Sequence, residues 1–230
     1  MEELLRNPPK APLSFPEATL YLCDRGVTDR DVEFLARALM AGGYQNLEVL
    51  SLARNNITAV GAAALGGALA QGTAPNLMRL SIEENPIGDD GMVAIAKALP
   101  KVPKLRCIEA MENNFSDIAV KAFFASGADN ALRSIESLYL RKNKMGDDGM
   151  EALCKACEAG YLPKCRNINI GECEITDEGC LILADAIEAG HLTGIRSIQL
   201  HRNRVGRDGM EVVQGVIKEY DLERNLMVNF

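Results

Sequence analysis

One pattern returns about every 30 residues from Leu20 to the C-terminus. A period of that length restricts the chain to a solenoid, because each copy is one supersecondary unit whose apolar face only its neighbours can cover. The second copy reads LEVLSLARNNITAVGAAALGGAL, and its skeleton is LxxLxLxxNxI, a turn, a small residue and then LxxAL. An asparagine-type position marks the seven copies at Arg25, Asn55, Asn85, Asn113, Asn143, Cys173 and Asn203, with intervals of 30, 30, 28, 30, 30 and 30.

Within a copy the hydrophobic period changes once. Leu50 and Leu52, or Leu138 and Leu140, recur at a step of two, which places them on one face of a short strand. Ile57, Gly61, Leu65 and Leu69 follow at steps of four, as do Ile87, Gly91, Ile95 and Leu99, so the second half is a helix with one apolar stripe. Thr28, Thr58, Ser116 and Thr176 stand where a helix N-cap oxygen is needed, and Gly88, Gly146 and Gly206 take that position in the other copies. Asp29, Asp89, Asp117, Asp147 and Asp177 place negative charge on the first turn, where it offsets the helix dipole. Gly61, Gly91, Gly149, Gly179 and Gly209 lie inside helices at a cost of about 1 kcal/mol each relative to alanine, which predicts a close approach of helix to strand. The fourth copy is the irregular point: it carries Ala119, Phe123 and Phe124 and reads as two residues shorter.

Stacked, such units form an α/β solenoid of about seven repeats, with parallel strands on one side and helices on the other. Strands pack more closely than helices, so the stack is expected to curve with its strands on the concave face. The spacing LxxLxLxxNxIxxxGxxxL at a period of 28 to 30 resembles the leucine-rich repeats of the ribonuclease-inhibitor subclass, over roughly residues 17 to 217. The resemblance implies that Asn55, Asn85, Asn113, Asn143 and Asn203 bond the backbone of neighbouring coils. It also implies that Cys173 is a tolerated variant there, while Arg25 departs from the pattern and marks the first copy as a cap.

The expected organisation is an N-terminal extended arm or cap at 1–16, seven repeats at 17–217 and a C-terminal cap at 218–230. The arm carries Pro8, Pro9, Pro12 and Pro16, with Leu4, Leu5 or Phe15 to pack on the first coil. Leu226, Val228 and Phe230 alternate like one last edge strand. Neither a secretory signal nor a membrane span is read from the sequence, so the expected location is cytoplasmic. A formal charge of −7 argues against nucleic acid, because affinity for phosphate backbones rests on clustered Lys and Arg. The expected state is a monomer, with possible association through the C-terminal edge.

Phosphate cradles, nucleophile elbows and zincin motifs do not occur in this sequence, and its two histidines, His191 and His201, offer no triad. Cys154 and Cys157 make one CxxC without a second, and the seven cysteines are read as reduced, with Cys154, Cys157, Cys165, Cys173 and Cys180 on template positions. Neither catalysis nor a metal or cofactor is expected. The strand residues between the core leucines then form the candidate site, in three rows. Tyr21, Ser51, Ser81, Glu109, Tyr139, Asn169 and Gln199 form the middle row, followed by Cys23, Ala53, Glu83, Met111, Arg141, Gly171 and His201. The third row, Asp24, Arg54, Glu84, Glu112, Lys142, Glu172 and Arg202, nearly alternates in sign and reads as cross-strand ion pairs such as Glu112 with Lys142 and Glu172 with Arg202.

Glu83, Glu109, Met111, Tyr139, Arg141, Lys142 and His201 are the candidate partner-binding residues, because aromatic and guanidinium groups anchor protein interfaces. The bland alternative is that Tyr139 only stacks on Arg141 or Met111. The expected function is a non-enzymatic scaffold binding an unidentified protein on the concave face. Alternatives are a GTPase activator, since the repeats resemble those of the Ran GTPase activators, or a repeat subunit of a larger assembly.

Overall fold

The structure, a computed structural model, describes residues 18–220 and 226–230. The proline-bearing segment with Leu4, Leu5 and Phe15 lies outside them. Among these residues eight short strands form one parallel sheet in sequence order: β1 Thr19–Tyr21, β2 Val49–Ser51, β3 Arg79–Ser81, β4 Cys107–Glu109, β5 Ser137–Tyr139, β6 Asn167–Asn169, β7 Ser197–Gln199 and β8 Met227–Asn229. Seven helices alternate with them: α1 Asp29–Met40, α2 Ala59–Leu69, α3 Gly88–Ala98, α4 Asp117–Ala125, α5 Gly146–Glu158, α6 Asp177–Glu188 and α7 Arg207–Tyr220. This is the α/β solenoid the repeat dictates.

The strand register explains the layering. Leu50 pairs with Leu80, Leu80 with Ile108, Ile108 with Leu138 and Leu138 with Ile168, so one apolar side chain per strand points inward and stacks on its equivalents. These side chains are fully buried, each stabilising the coil by roughly 1.5–3 kcal/mol. The helices close the other side through Leu65, Ile95, Phe123, Leu153 and Leu183. At the end of the array β8 pairs with β7, and Leu226 is buried beneath it, so the alternating C-terminus does form the last strand.

Asn55, Asn85, Asn143 and Asn203 make the ladder that their position implies, while Asn113 makes only part of it. Asn55 Nδ2 donates to the carbonyls of Leu22 and Leu52, and its Oδ1 accepts from the amides of Arg25 and Val27. Asn143 does the same between Ala110 and Leu140, accepting from Asn113 and Phe115. Cys173 substitutes as a donor, its thiol lying 3.3 Å from the Leu140 carbonyl and 3.4 Å from that of Gly171.

A second ladder runs through the helix N-termini, and here the structure corrects the sequence reading. The first-turn aspartates do more than offset a dipole: several cap the helix of the next coil. Asp29 accepts from the Thr58 amide at 2.8 Å, the Thr58 hydroxyl at 2.7 Å and the Gly61 amide at 2.9 Å. Asp147 repeats this with Thr176 and Gly179, Asp89 holds Ser116, and Asp177 holds the Gly206 amide. At α3 and α5, where this backward link is missing, the helix is tied forward instead. Gly88 and Gly146 adopt φ of +65° and +60° and donate to the carbonyls of Asn113 and Cys173 in the following coil. Glycine is present there for its left-handed backbone, not as a permissive cap; Gly206 belongs to the backward-linked class.

The adjacent acids Asp147 and Asp148 therefore have different duties. Asp148 is exposed and pairs with Lys121 at 2.6 Å, which holds its carboxyl below the ordinary value through that hydrogen bond. Asp147→Ala is expected to cost about 2 kcal/mol, having orphaned two backbone amides and a hydroxyl. Asp148→Ala is expected to leave stability nearly unchanged. Urea denaturation midpoints of the two variants make the comparison.

The helix glycines also have a different reason from the one the sequence suggested. A Cβ on Gly61, Gly179 or Gly209 lies 2.4–2.5 Å from the capping aspartate of the preceding helix, at Asp29, Asp147 and Asp177 respectively. On Gly91 it lies 2.9 Å from Ala62 Cβ and 3.0 Å from Ala59 Cα. The close approach is thus of helix to preceding helix, with Ile57, Ile87 or Ile175, just ahead of each helix, also near. The two missing residues are likewise relocated. Arg79 pairs with Cys107, a step of 28 that places the deletion in the connection from α3 to β4, where a 3₁₀ turn at Leu99–Lys101 tightens the path. Phe123 and Phe124 are buried, edge to face at 5.3 Å.

Candidate functional site

The strand face carries the candidate residues in the predicted rows. Tyr21, Ser51, Ser81, Glu109, Tyr139, Asn169, Gln199 and Asn229 are register partners across the whole sheet. At β2 and β3 the face is closed by the buried small residues Ser51, Ala53 and Ser81. From β4 onward larger side chains stand on it.

Every third-row residue from Asp24 to Arg202 has φ between 52° and 58°, the left-handed region that non-glycine residues occupy at a cost of about 1–2 kcal/mol. The sequence reading missed this turn because none of these residues is Gly or Asn. Its backbone is repaid by the next coil: the Arg54 amide donates to the Glu83 carbonyl, Glu84 to Met111, Glu112 to Arg141, Lys142 to Gly171 and Glu172 to His201. The turn lifts the charged side chains to the rim of the face.

Of the expected rim pairs, Lys142 meets Glu112 at 2.7 Å and Arg202 meets Glu172 at 3.6 Å. The main partner of Glu172 is a different residue, Arg141, whose Nε donates to it at 2.8 Å while Nη2 bonds the same oxygen. Arg141 is thus committed to Glu172 across a strand rather than to the Tyr139 ring. That hydrogen bond is the largest influence holding the Glu172 carboxyl below its ordinary value of 4.5. A depressed folded-state pKa stabilises the fold above the unfolded value and loses that contribution as pH falls through the folded one. The Glu172 contribution is therefore expected to be complete above about pH 4.5 and to fade below it. A carboxyl titration by NMR checks this, with Arg141→Ala expected to move the Glu172 midpoint upward.

Glu109 accepts from Arg79 at 2.8 Å, and Glu83 accepts from the Ser81 hydroxyl at 2.6 Å. Met111 and Tyr139 are half-buried. Tyr139 borders a cleft of about 320 Å³ at the leading edge of β2–β5, lined with Val49, Met78, Cys107 and Ser137 and flanked by Arg79, Arg106 and Glu136. Arg106 faces Glu136 across it at 3.7 Å. Sequence reasoning missed this cleft, since its rim comes from residues just before the strands. His201 has a structural duty as well: a Cβ on Gly171 meets its imidazole Cε1 at 2.6 Å, so its ring lies across Gly171 on the neighbouring coil.

All seven cysteines are free thiols. Burial pushes Cys154, Cys165 and Cys173 up to about 12 and Cys180 and Cys107 to about 11, and Cys157 rises for the same reason. Thiolates are the reactive form, so this burial works against the reactive state of Cys154 and Cys157. Among the described residues no group of three or more His, Cys, Asp or Glu side chains is placed to hold a metal ion. Among them, too, no helix is long and apolar enough to cross a membrane.

The comparisons with known proteins bear on the repeat and on the fold. The profile of the Leucine Rich repeat family matches residues 45–66, 73–96 and 131–154. The human NACHT, LRR and PYD domains-containing protein 13 is 30% identical over 137 residues, which are 60% of this chain and 13% of that protein. The chain thus corresponds to a small part of that relative's length. Among solved structures, the leiomodin-1 actin-binding site 2 superposes with a TM-score of 0.54 at 13% identity, covering 68% of this chain and 87% of that one. That likeness concerns the fold alone. Because the family profile falls on coils that each run from a parallel strand through an asparagine ladder to a helix, those coils are leucine-rich repeats and the chain has the fold of a leucine-rich-repeat solenoid.

Proposed function

We propose that this protein is a non-enzymatic interaction scaffold that binds another protein on its strand face, centred on β3–β5. One observation carries the reading. Tyr139 stands half-buried on a preformed sheet beside a cleft flanked by Arg79, Arg106 and Glu136, and Met111, also half-buried, lies past the other end of β4 on the same face. Aromatic and arginine side chains around a shallow depression are the composition of an interface anchor, and a rigid array spends little ordering energy on association. The two ladders supply that rigidity.

The repeat is of the ribonuclease-inhibitor-like subclass on this reading, supported by a helix in every coil and a period of 28 to 30. Free thiols throughout support a reducing, cytoplasmic setting. A C-terminal cap is supported by β8, which pairs with β7 at the end of the sheet.

The test is retention of partners from lysate of the source cell by the intact protein and by a Met111→Ala, Tyr139→Ala double variant, with folding checked by circular dichroism. Arg141 is left intact in this variant because its loss also frees Glu172. A partner held by the first and lost by the second supports the strand face; equal retention sinks it and moves the search to the helices. Actin co-sedimentation is a defined arm of the same experiment, prompted by the actin-binding neighbour.

A further inference from the structure

The strand face is not electrically uniform, and its two halves differ in sign. On β3 and β4 the face and its rim present Glu83, Glu84, Glu109 and Glu112 against Arg79 and Arg106. From β5 to β7 they present Arg141, Lys142, Arg166, Arg196 and Arg202 against Glu136 and Glu172. Internal pairing removes much of this charge but leaves the asymmetry. Glu109 is taken by Arg79 and Glu112 by Lys142, whereas Glu83 is held by a hydroxyl and Glu84 stands exposed at its strand end.

On the other half, Glu172 is engaged by Arg141, so Arg202 reaches it only at 3.6 Å and remains 74% exposed. Arg166 is directed to the Gly194 carbonyl at 2.5 Å, a contact that leaves its charge in place. Arg196 stands exposed at the leading edge of β7, and among the described residues no carboxylate pairs with it. Around these cations the face offers Asn167, Asn169, Ser197 and Gln199, groups that donate hydrogen bonds to carboxylates. A cationic, donor-rich patch on a chain of net charge −7 stands against the sign of its own protein.

We infer that the bound protein is acidic where it crosses β5–β7 and basic where it crosses β3 and β4. This rests on the strand-face reading above and adds the partner's chemistry and its direction along the sheet. With strands about 4.8 Å apart, the centres of the two patches lie roughly 12 Å from one another, a separation within one small interface. Such a pattern fixes register and opposes the reversed orientation, where like charges meet. A polypeptide is favoured over nucleic acid because the same face turns acidic two or three strands away, where a continuous phosphate backbone is repelled.

The experiment uses the whole chain and two fluorescent probes, a short Glu/Asp-rich peptide and a short Lys-rich peptide, with oligo-dT as a third. Anisotropy is read at low and at physiological salt, since such contacts are screened. The expected result is that the acidic peptide binds and that Arg196→Glu with Arg202→Glu weakens it by at least about tenfold. Lys97→Glu with Lys155→Glu, the same charge change on the helices, is expected to leave it unaffected. The Lys-rich peptide is expected to respond instead to Glu83→Lys with Glu84→Lys.

Three results overturn the inference: no binding of the acidic peptide, equal loss in the helix-face variant, or tighter binding of oligo-dT at the same arginines. If only the Lys-rich peptide binds, and the Glu83 and Glu84 variant abolishes it, the polarity fails while the strand face stands. If no probe responds to any strand-face variant and the Met111, Tyr139 variant retains every partner, both readings fail together.

Discussion

Asn143→Ala is expected to lower stability by about 3–4 kcal/mol, whereas Asn113→Ala, one coil away and equally buried, is expected to cost about 1 kcal/mol. The asymmetry follows from what each side chain holds. Asn143 Nδ2 donates to the Ala110 and Leu140 carbonyls at 2.9 and 2.8 Å, and Oδ1 accepts from the Asn113 and Phe115 amides at 3.0 and 3.4 Å. Truncation orphans four buried backbone groups and leaves a void. The Asn113 side chain accepts from the Asn85 amide at 3.1 Å, and among the described residues its buried Nδ2 has no partner. Losing it therefore removes one bond and also one unsatisfied donor.

The cause lies in the preceding coil. There the Ile87 amide turns back to the Asn85 carbonyl at 2.8 Å, and Gly88, at positive φ, donates to the Asn113 main chain. The shortened path from α3 to β4 sits in the same coil, and the ladder is incomplete where the two coincide. Gly146 makes the same forward link to the Cys173 carbonyl, which explains why a cysteine suffices at that ladder position. Asn113→Cys is accordingly expected to be milder than Asn143→Cys. Urea denaturation of the four variants, with unchanged slope, decides the matter; equal losses at the two positions contradict it.

Much of this fold is legible in the sequence because its determinants are periodic. A step of two in Leu50 and Leu52 and a step of four from Ile57 to Leu69 each specify a face, and a fixed repeat converts that face into register. The candidate rows on the sheet follow from the same arithmetic, which is why Tyr139 and Glu109 are neighbours as expected. What escaped depends on reach between coils. Asp147 occupies the same first-turn position in sequence whether it offsets its own helix dipole or caps the next helix; only the stacking offset of α5 and α6 distinguishes them. Glu172 lies beside Arg202 in the row, yet Arg141, one position back on the neighbouring strand, makes the tighter bond because its side chain approaches diagonally. The left-handed row from Asp24 to Arg202 carried no glycine to announce it.

The neighbouring glycines of α2 separate propensity from packing, and their exchange for alanine is expected to have opposite signs. Both sit inside a helix, where alanine is favoured over glycine by about 1 kcal/mol. Gly67 faces open space, with nothing within 4 Å of an added Cβ, so Gly67→Ala is expected to stabilise by about 0.5–1 kcal/mol. Gly66 lies against the backbone of α3: its Cβ meets the Ala94 carbonyl oxygen at 2.6 Å, the carbonyl carbon at 2.8 Å and the Ile95 amide nitrogen at 3.2 Å. Main-chain atoms inside a hydrogen-bonded helix have no rotamer to change, so relief requires α2 and α3 to separate. That movement also strains the contacts of Leu65 and Leu69 with the core. Gly66→Ala is expected to destabilise by about 2–3 kcal/mol net of its helix-propensity gain. Thermal and urea unfolding of the two single variants read the difference directly; a Gly66→Ala variant as stable as the parent means that α2 and α3 have room to part, and removes the argument that small residues set the helix spacing in this array.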